Sequence, residues 1–390
     1  MKRKIAVVST SRADYGHLYW PLKDLSVRPD IELTIIATAA HLSPEFGHTI
    51  DEMERDGFRG VKRVECLMSS DSDVGMAKTI GLATLGFADL LSTVRPDILL
   101  LIADRYELLA PASVALALRI PVAHIEGGEI SEGAIDDAVR NALTKLSHIH
   151  FTATDNSRLR VLAMGEESWR VHRAGAPSLD HLRRRTLFSR RELEDDLGID
   201  LDQPTIVVAY HPVTIARDTT REAAALFEAL GRLREQIVFC FPNADAGSRE
   251  LISRAEAFCE SNSRARVFVN LNHLRYWSLL NNVQLMLGNS SSGIMETASL
   301  RLPSVNIGLR QKGRERPRNV IDAEPETQSI LAAVAEASST GFRDSLDGMI
   351  NPYGDGHASE RIIEVLASVG LGEELLTKRA VPLRSGWAPE

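Results

Sequence analysis

Two short apolar runs that end abruptly in charge constrain this chain more than any other feature. Ile98 to Ala103 (ILLLIA) stops at Asp104 and Arg105, and Pro121 to Ile125 (PVAHI) stops at Glu126, Gly127, Gly128 and Glu129. Runs this short and apolar read as strands buried on both faces, the mark of a parallel sheet covered by helices. Leu108 to Leu118 between them reads as the crossover helix. Both acids then stand at one carboxyl edge, where open α/β sheets bind ligands. Beyond the glycines, Ile135, Ala138, Val139, Ala142, Leu143 and Leu146 recur at helical spacing, predicting an amphipathic helix over 131–148 with Asp136 and Asp137 in its first turn. Arg140 follows Asp136 by four residues. Acids at the positive end of a helix dipole with a base one turn on are ordinary helix design, so each acid alone has a structural explanation. Three acids at successive positions along one edge point to chemistry.

The same alternation runs through the chain. Lys4 to Ser9 reads as a first strand, followed by a loop over Thr10 to Gly16 and a helix near Leu18 to Leu25. That loop aims Arg12 and its amides at one point, which suits a phosphate. It holds neither GxGxxG nor GxxxxGK[ST], which argues against dinucleotide and P-loop readings. Ile31 to Thr38 is a second strand, ending just before His41, and 69–79 reads as a polar loop leading into a helix over Ile80 to Val94. Residues 181–196 are strongly charged without a sheet signal, and we place an interdomain linker there, with its charges on a solvated helix face. Thr205 to Ala209, Ile237 to Phe241, Val267 to Val269, Val283 to Leu287 and Ser304 to Ile307 then restart the strand pattern with helices between. The expectation is two doubly wound α/β domains, 1–180 and 181–390, facing each other across a cleft, with a last amphipathic helix over about 358–370 able to pack back on the N-terminal domain.

Composition narrows the function. At 390 residues the chain exceeds the roughly 250–300 at which a single core stops growing. A net charge of −8, with bases spread through both halves, argues against a nucleic-acid surface or a membrane anchor. Cys66, Cys240 and Cys259 are far apart and form no CxxC, which fits a reduced, cytoplasmic setting and no structural zinc.

The second half carries its own polar strand ends. His211 precedes Pro212, Asn243 follows Pro242, and Gly288, Asn289, Ser290, Ser291, Ser292 and Gly293 lead into a helix carrying Glu296. Hydroxyls and free amides at a helix start can cradle an anion, and a glutamate one turn on can accept from vicinal hydroxyls such as those of a ribose. A serine-capped helix with Glu296 in a capping box explains the same residues. The loop from Asn306 to Arg318 holds Arg310, Arg314, Arg316 and Arg318, which could clamp a diphosphate. No metal-ligand pattern is present, and neither a metal nor a cofactor is expected.

SRADYG (11–16), ADRYELL (103–109), HIEGGEISEGAIDDAVR (124–140), TKLSH (144–148), HPVT (211–214), FPNADAG (241–247), GNSSSGIMET (288–297) and NIGLRQKGR (306–314) together resemble the hydrolysing UDP-N-acetylglucosamine 2-epimerases of sialic-acid synthesis. The resemblance covers about residues 4–322. It implies the GT-B fold, two Rossmann-like domains with the active site between them, and conversion of UDP-N-acetylglucosamine and water to N-acetylmannosamine and UDP through a 2-acetamidoglucal. Carried over position by position, Asp104, Glu126 and Asp136 match the acid/base carboxylates, with His211 grouped beside them. Arg12, Arg105, Asn243, Ser290, Ser291, Glu296 and Arg310 match nucleotide-sugar contacts, and His41 matches a histidine near the sugar. Homodimers or homotetramers are implied too. Two departures stand out: Ala103 where glycine is usual, and Met295 where a basic residue is common. The main alternative is a hydrolysing epimerase of a UDP- or GDP-linked diacetamido-trideoxy sugar, as in legionaminic acid pathways. A non-hydrolysing 2-epimerase and a GT-B glycosyltransferase are more distant ones.

Overall fold

The computed structural model describes residues 2–70, 72–213, 218, 220–241, 248–269 and 271–381. Its first sheet comprises β1 (Arg3–Ser9), β2 (Ile31–Thr38), β3 (Lys62–Val64), β4 (Ile98–Ile102), β5 (Val122–Ile125), β6 (Ile149–Thr152) and β7 (Val171–Arg173), in the order β3-β2-β1-β4-β5-β6-β7. The second comprises β8 (Thr205–Ala209), β9 (Gln236–Phe241), β10 (Ala265–Val269), β11 (Leu285–Gly288), β12 (Ser304–Ile307) and β13 (Val320–Ala323), in the order β10-β9-β8-β11-β12-β13. All the strand pairs are parallel. Both sheets are doubly wound, with the order reversing beside β1 in one and beside β8 in the other, and a crevice opens at the carboxyl ends of such switch points.

The central strands are buried on both faces, as their lack of alternation requires. Ile98, Leu100 and Ile102 of β4 join Ile5 and Val7 of β1 in one core, while Leu99 and Leu101 face Phe87 and Leu91 in another. In β8, Ile206 and Val208 pack away from Val207 and Ala209 in the same manner.

Several elements differ from their sequence reading. The first helix begins at Arg12, two residues into the expected loop, because Ser11 caps it by accepting from the Asp14 amide at 3.4 Å, so SRADYG is a helix start rather than a loop. Ser72 caps the next long helix, Asp73–Val94, which absorbs most of the expected polar loop. The charged stretch 181–196 folds into Asp180–Arg184 and Arg190–Leu197; Arg190 and Arg191 stay exposed as expected, but Arg184 and Arg185 are engaged rather than solvated. Arg184 pairs with Asp24 at 2.6 Å, and Arg185 donates to His273 at 2.7 Å and to the Tyr19 hydroxyl at 3.1 Å.

The helix Ala358–Ser368 lies on the first sheet, where Ile362, Ile363 and Leu366 join Ile5, Val7 and Leu18. Asp180 accepts from the amides of Ala358 and Ser359 at 3.0 and 2.8 Å, closing its N-terminus. The chain then reaches Arg170, whose buried guanidinium donates to the carbonyls of Glu374, Leu375 and Thr377, each at 2.8 Å. Arg170→Ala leaves these carbonyls unsatisfied and should cost about 3 kcal/mol of stability. Urea unfolding measures the loss, and faster limited proteolysis near residue 375 locates it; a variant as stable and as resistant as the parent would remove the anchoring role.

Candidate active site

Between the two carboxyl edges lies a cleft of about 1370 Å³, open mouth included. Its first-domain wall is built from strand ends. Ala103, just after β4, takes φ +61° and presents Asp104 to the cleft; Glu126, just after β5, takes φ +65°. Asp136 opens the helix Asp136–Leu146 on the same side. Arg12 reaches the cleft from the start of its helix, with Arg105 beside Asp104. His211, Ser290, Ser291, Glu296 and Arg310 form the opposite wall. Ten of the twelve residues singled out in the sequence thus meet in one cleft. Asn243 lies outside the described residues. His41 does not reach the cleft: it is fully buried, 2.8 Å from the Ser9 hydroxyl and 2.7 Å from that of Thr49, and burial followed by the charge of Arg12 lowers its pKa to about 3. It is a neutral support behind Arg12.

The two walls are joined at a group that sequence reading passed over. His17 places Nδ1 2.8 Å from Glu126 Oε1 and Nε2 3.4 Å from Glu296 Oε1. Burial opposes the imidazolium, but Glu126 and then Glu296 outweigh it and raise the His17 pKa well above its ordinary value. As a cation its two N–H groups suit one carboxylate on each domain. Burial likewise opposes ionisation of Glu296, yet His17 and the Ser292 hydroxyl hold its pKa below the usual value. The carboxylate of Glu296 is therefore engaged by side chains and not by a capping box. Its helix is one turn, Ser292–Met295, and Tyr276 donates to Ser292 at 2.8 Å beneath it.

Buried arginines fill the remaining space. Arg140 is not the surface partner of Asp136 that its spacing suggests. It turns inward to bond Asp104, the Glu129 carbonyl at 2.8 Å and the Ser131 hydroxyl at 3.2 Å, with Asp137 3.5 Å away. Burial, followed by the like charges of Arg314 and Arg310, pushes its pKa well down. Arg12, Arg140 and Arg310 each keep a buried Nε with no hydrogen-bond partner among the described residues. Unpaired buried guanidinium N–H groups are costly, and an anionic ligand in the cleft is the chemistry that would satisfy them. In the second wall Asn289 donates to the His211 carbonyl at 2.8 Å and accepts from its amide at 2.7 Å, while its own carbonyl receives Gln311 at 2.9 Å and Arg310 at 3.3 Å.

Residues 23–367 match the family profile described as UDP-N-acetylglucosamine 2-epimerase. The chain belongs to that family. It is 37% identical to the GDP/UDP-N,N'-diacetylbacillosamine 2-epimerase (hydrolyzing) of Campylobacter jejuni, over 83% of this chain and 85% of the relative. It is 36% identical to the UDP-N,N'-diacetylbacillosamine 2-epimerase (hydrolyzing) of Legionella pneumophila, over 97% and 99%. Among solved structures, the UDP-GlcNAc 2-epimerase of Neisseria meningitidis bound to UDP-GlcNAc aligns with TM-score 0.79 at 19% identity, covering 93% of this chain and 99% of that one. The architecture is GT-B.

The two departures of this epimerase-family chain now have a setting. Ala103 occupies a left-handed corner that glycine would take without strain. Met295 is buried with its sulfur 3.0 Å from Arg314 Nη1, so a guanidinium from the following loop stands beside the position of the missing basic side chain. His17 was legible only as one more polar helix residue; its i,i+3 relation to Asp14 and i,i+4 relation to Ala13, which also line the cleft, is the signal that would have found it. Tyr276 carried no such signal, while Asn289 is visible only as part of the loop 288–293 and not as the residue that pins His211.

His17→Gln should lower stability by about 2 kcal/mol near pH 6, the scale of a hydrogen bond to a charged group. A folded pKa raised above 6.5 makes the His17 contribution full below that pH and lost as pH rises through the raised value; the lowered Glu296 pKa makes its contribution full above 4.5 and lost in stronger acid. Urea unfolding of both proteins from pH 5 to 10 should show the gap closing toward alkaline pH; a gap that widens there would rule out the cationic bridge.

Proposed function

We propose that this protein is a hydrolysing 2-epimerase of a nucleoside-diphosphate-linked diacetamido-trideoxy sugar, N,N'-diacetylbacillosamine being the favoured sugar. What carries the choice is the similarity, over nearly the whole chain, to two relatives described by that activity. UDP-N-acetylglucosamine, the main expectation from the sequence, becomes the second reading. The reaction is the same in both. A base takes H-2, the C2–H electron pair forms the C1=C2 bond, and the C1–O bond breaks to release the nucleoside diphosphate. Water then adds to C1 of the glycal while a proton reaches C2 from the opposite face.

In this reading Asp104, Glu126 and Asp136 are the proton-handling groups, since they line the first wall, the first two at strand ends and the third at a helix start. His211 faces them from the second wall, pinned through its backbone by Asn289. Arg12, Arg105 and Arg310, with Ser290 and Ser291, receive the leaving diphosphate, whose charge would satisfy the buried guanidinium N–H groups. Glu296 takes the ribose hydroxyls after exchanging its bond from His17. In this reading residues 1–180 form the domain carrying the acids and 181–390 the nucleotide-binding domain, whose last helix packs back on the first sheet.

Proton NMR in heavy water with UDP- and GDP-diacetylbacillosamine and with UDP-N-acetylglucosamine tests the assignment. Free nucleoside diphosphate and a 2-epimer deuterated at C2 are expected, with kcat/KM at least ~10-fold higher for a diacetamido substrate, about 1.4 kcal/mol in the transition state. Faster turnover of UDP-N-acetylglucosamine would restore the second reading, and a 2-epimer still carrying its nucleotide would move the chain to the non-hydrolysing class. Asp104→Asn and Asp136→Asn should each lower kcat by ~100-fold or more while retaining nucleoside-diphosphate binding. Glu296→Ala should instead weaken that binding by calorimetry, and an unchanged affinity would remove the ribose role.

A further inference from the structure

Glu296 closes a single helical turn, Ser292–Met295, that is fixed on the second domain. A Cβ on Gly293 would lie 2.7 Å from the Ser304 hydroxyl, so the turn rests directly on β12, and Asn351 donates to the Met295 carbonyl at 2.7 Å. The backbone under Glu296 is therefore held, but a glutamate side chain keeps several torsions of its own. A second helix supplies what sets them. Tyr276, on His273–Asn282, lines the cleft and donates its hydroxyl to Ser292 Oγ at 2.8 Å, and Ser292 in turn donates to Glu296 Oε2.

The direction of this chain is set by its ends. An ionised carboxylate only accepts, so the Ser292 hydroxyl gives its one proton to Glu296 and is left to accept from Tyr276. Burial, followed by the charge of Glu296, raises the Tyr276 pKa well above its ordinary value, which keeps the phenol a donor. Bonds polarised in one direction strengthen one another. Ser292 is thereby separated in role from Ser290 and Ser291, since its hydroxyl is committed to a carboxylate rather than offered to an anion. The other oxygen, Oε1, stands 3.4 Å from His17 Nε2 on the first domain. Each oxygen is addressed from a different side, and each keeps acceptor capacity toward the cleft.

We propose that, with Glu296 on the ribose hydroxyls as assigned above, Tyr276 acting through Ser292 is the positioning residue that makes this cleft selective for a ribose over a 2'-deoxyribose nucleotide. Two vicinal hydroxyls need two acceptor oxygens at once and in one plane. A carboxylate free to rotate would satisfy one hydroxyl as readily as two. With Oε2 held by Ser292, the ribose can replace His17 at Oε1 while the Ser292 bond persists. A nucleotide lacking one hydroxyl then leaves an oxygen of this buried carboxylate short of a partner, the condition under which polar sites discriminate most strongly.

Calorimetric titration of the full chain with UDP and 2'-deoxy-UDP, and with the corresponding GDP pair, tests the role. The parent should prefer the ribonucleotide by ~10-fold or more. Tyr276→Phe keeps the ring and should lower that ratio by ~5-fold, the scale of one hydrogen bond, with deoxyribonucleotide affinity within ~2-fold of the parent. Ser292→Ala should do the same, and Ser292→Thr, which restores a hydroxyl, should recover the ratio to within ~2-fold. Because Tyr276 acts through Ser292, Tyr276→Phe combined with Ser292→Ala should be no less selective than Ser292→Ala alone. A Tyr276→Phe ratio equal to the parent's, an equal loss of both nucleotides, or additive effects in the double variant would overturn the proposal while leaving Glu296 on the ribose. A parent that binds both sugars equally, or a Glu296→Gln variant with the parental ratio, would remove the ribose role of Glu296 and the proposal with it.

Discussion

Every strand pair in both sheets is parallel, and from this constraint most of the cleft follows. Parallel strands bring successive carboxyl ends to one edge, so residues far apart in sequence, such as Arg12, Asp104 and Glu126, arrive side by side without any loop reaching for another. The second sheet repeats the arrangement and turns its own edge toward the first. Contact between the edges is close where backbones meet. A Cβ on Gly133 would lie 2.6 Å from the Leu309 carbonyl, and one on Gly313 would lie 2.4 Å from the Ile130 side chain. The acidic loop after β5 and the basic loop after β12 are therefore packed glycine into backbone, with the Glu132 amide donating to the Lys312 carbonyl at 3.2 Å. Larger residues at these two positions would hold the walls apart.

Charge is distributed so that neither wall is self-sufficient. Arg140 and Arg314 both converge on Ser131, and Arg314 lies 3.9 Å from Glu129. Burial raises the pKa of Glu129, with Arg314 opposing it. The nearby thiol of Cys240 is pushed up to about 12 by burial, so it faces the cleft as an inert apolar group. Behind the walls lies a neutral packing of rings. His181 stacks on His273 at 4.6 Å, accepts at Nδ1 from Trp20 at 3.2 Å and donates at Nε2 to the Gly16 carbonyl at 2.8 Å, a neutral tautomer consistent with a pKa lowered by burial to about 4. The charged layer faces the ligand space, and the uncharged rings pack behind it where the domains meet.

Much of this was legible where burial is two-sided. β8 (TIVVA) is placed to the residue by its nearly unbroken apolar run, and β2 (IELTIIAT) and β12 (SVNI) are placed to the residue too, although each carries polar positions. β3 (KRV) and β13 (VIDA) were missed, because an edge strand with exposed charges has no apolar signature. The same physics divides the site. Acids at the ends of apolar runs announce themselves, as Asp104 and Glu126 do, whereas Asp136 is read from the first turn of an amphipathic helix. Arg140 was not understood because its partner Asp104 is 36 positions away, while the misleading Asp136 is four. His17 was invisible because its partners belong to two other elements, and only the approach of two domains makes a helix histidine into a bridge.

The positions of the carboxylates rest finally on two strained corners. Ala103 and Glu126 follow adjacent strands, and both sit in the left-handed region, which costs a non-glycine residue about 1–2 kcal/mol. Each is held by the neighbouring strand: the Ala103 amide donates to Ile125 at 3.0 Å, and the Glu126 amide donates to Phe151 at 2.7 Å. A third bond closes the set. His124, buried and lowered to a pKa of about 4, donates from Nε2 to the Ala103 carbonyl at 2.7 Å. A neutral histidine can serve there without adding charge beneath the acids. Had the strands continued their alternation, the side chains after β4 and β5 would have pointed to opposite faces of the sheet. The left-handed corners instead turn both toward the same opening, so the chain spends local strain to set two carboxylates on rigid backbone rather than on mobile loops.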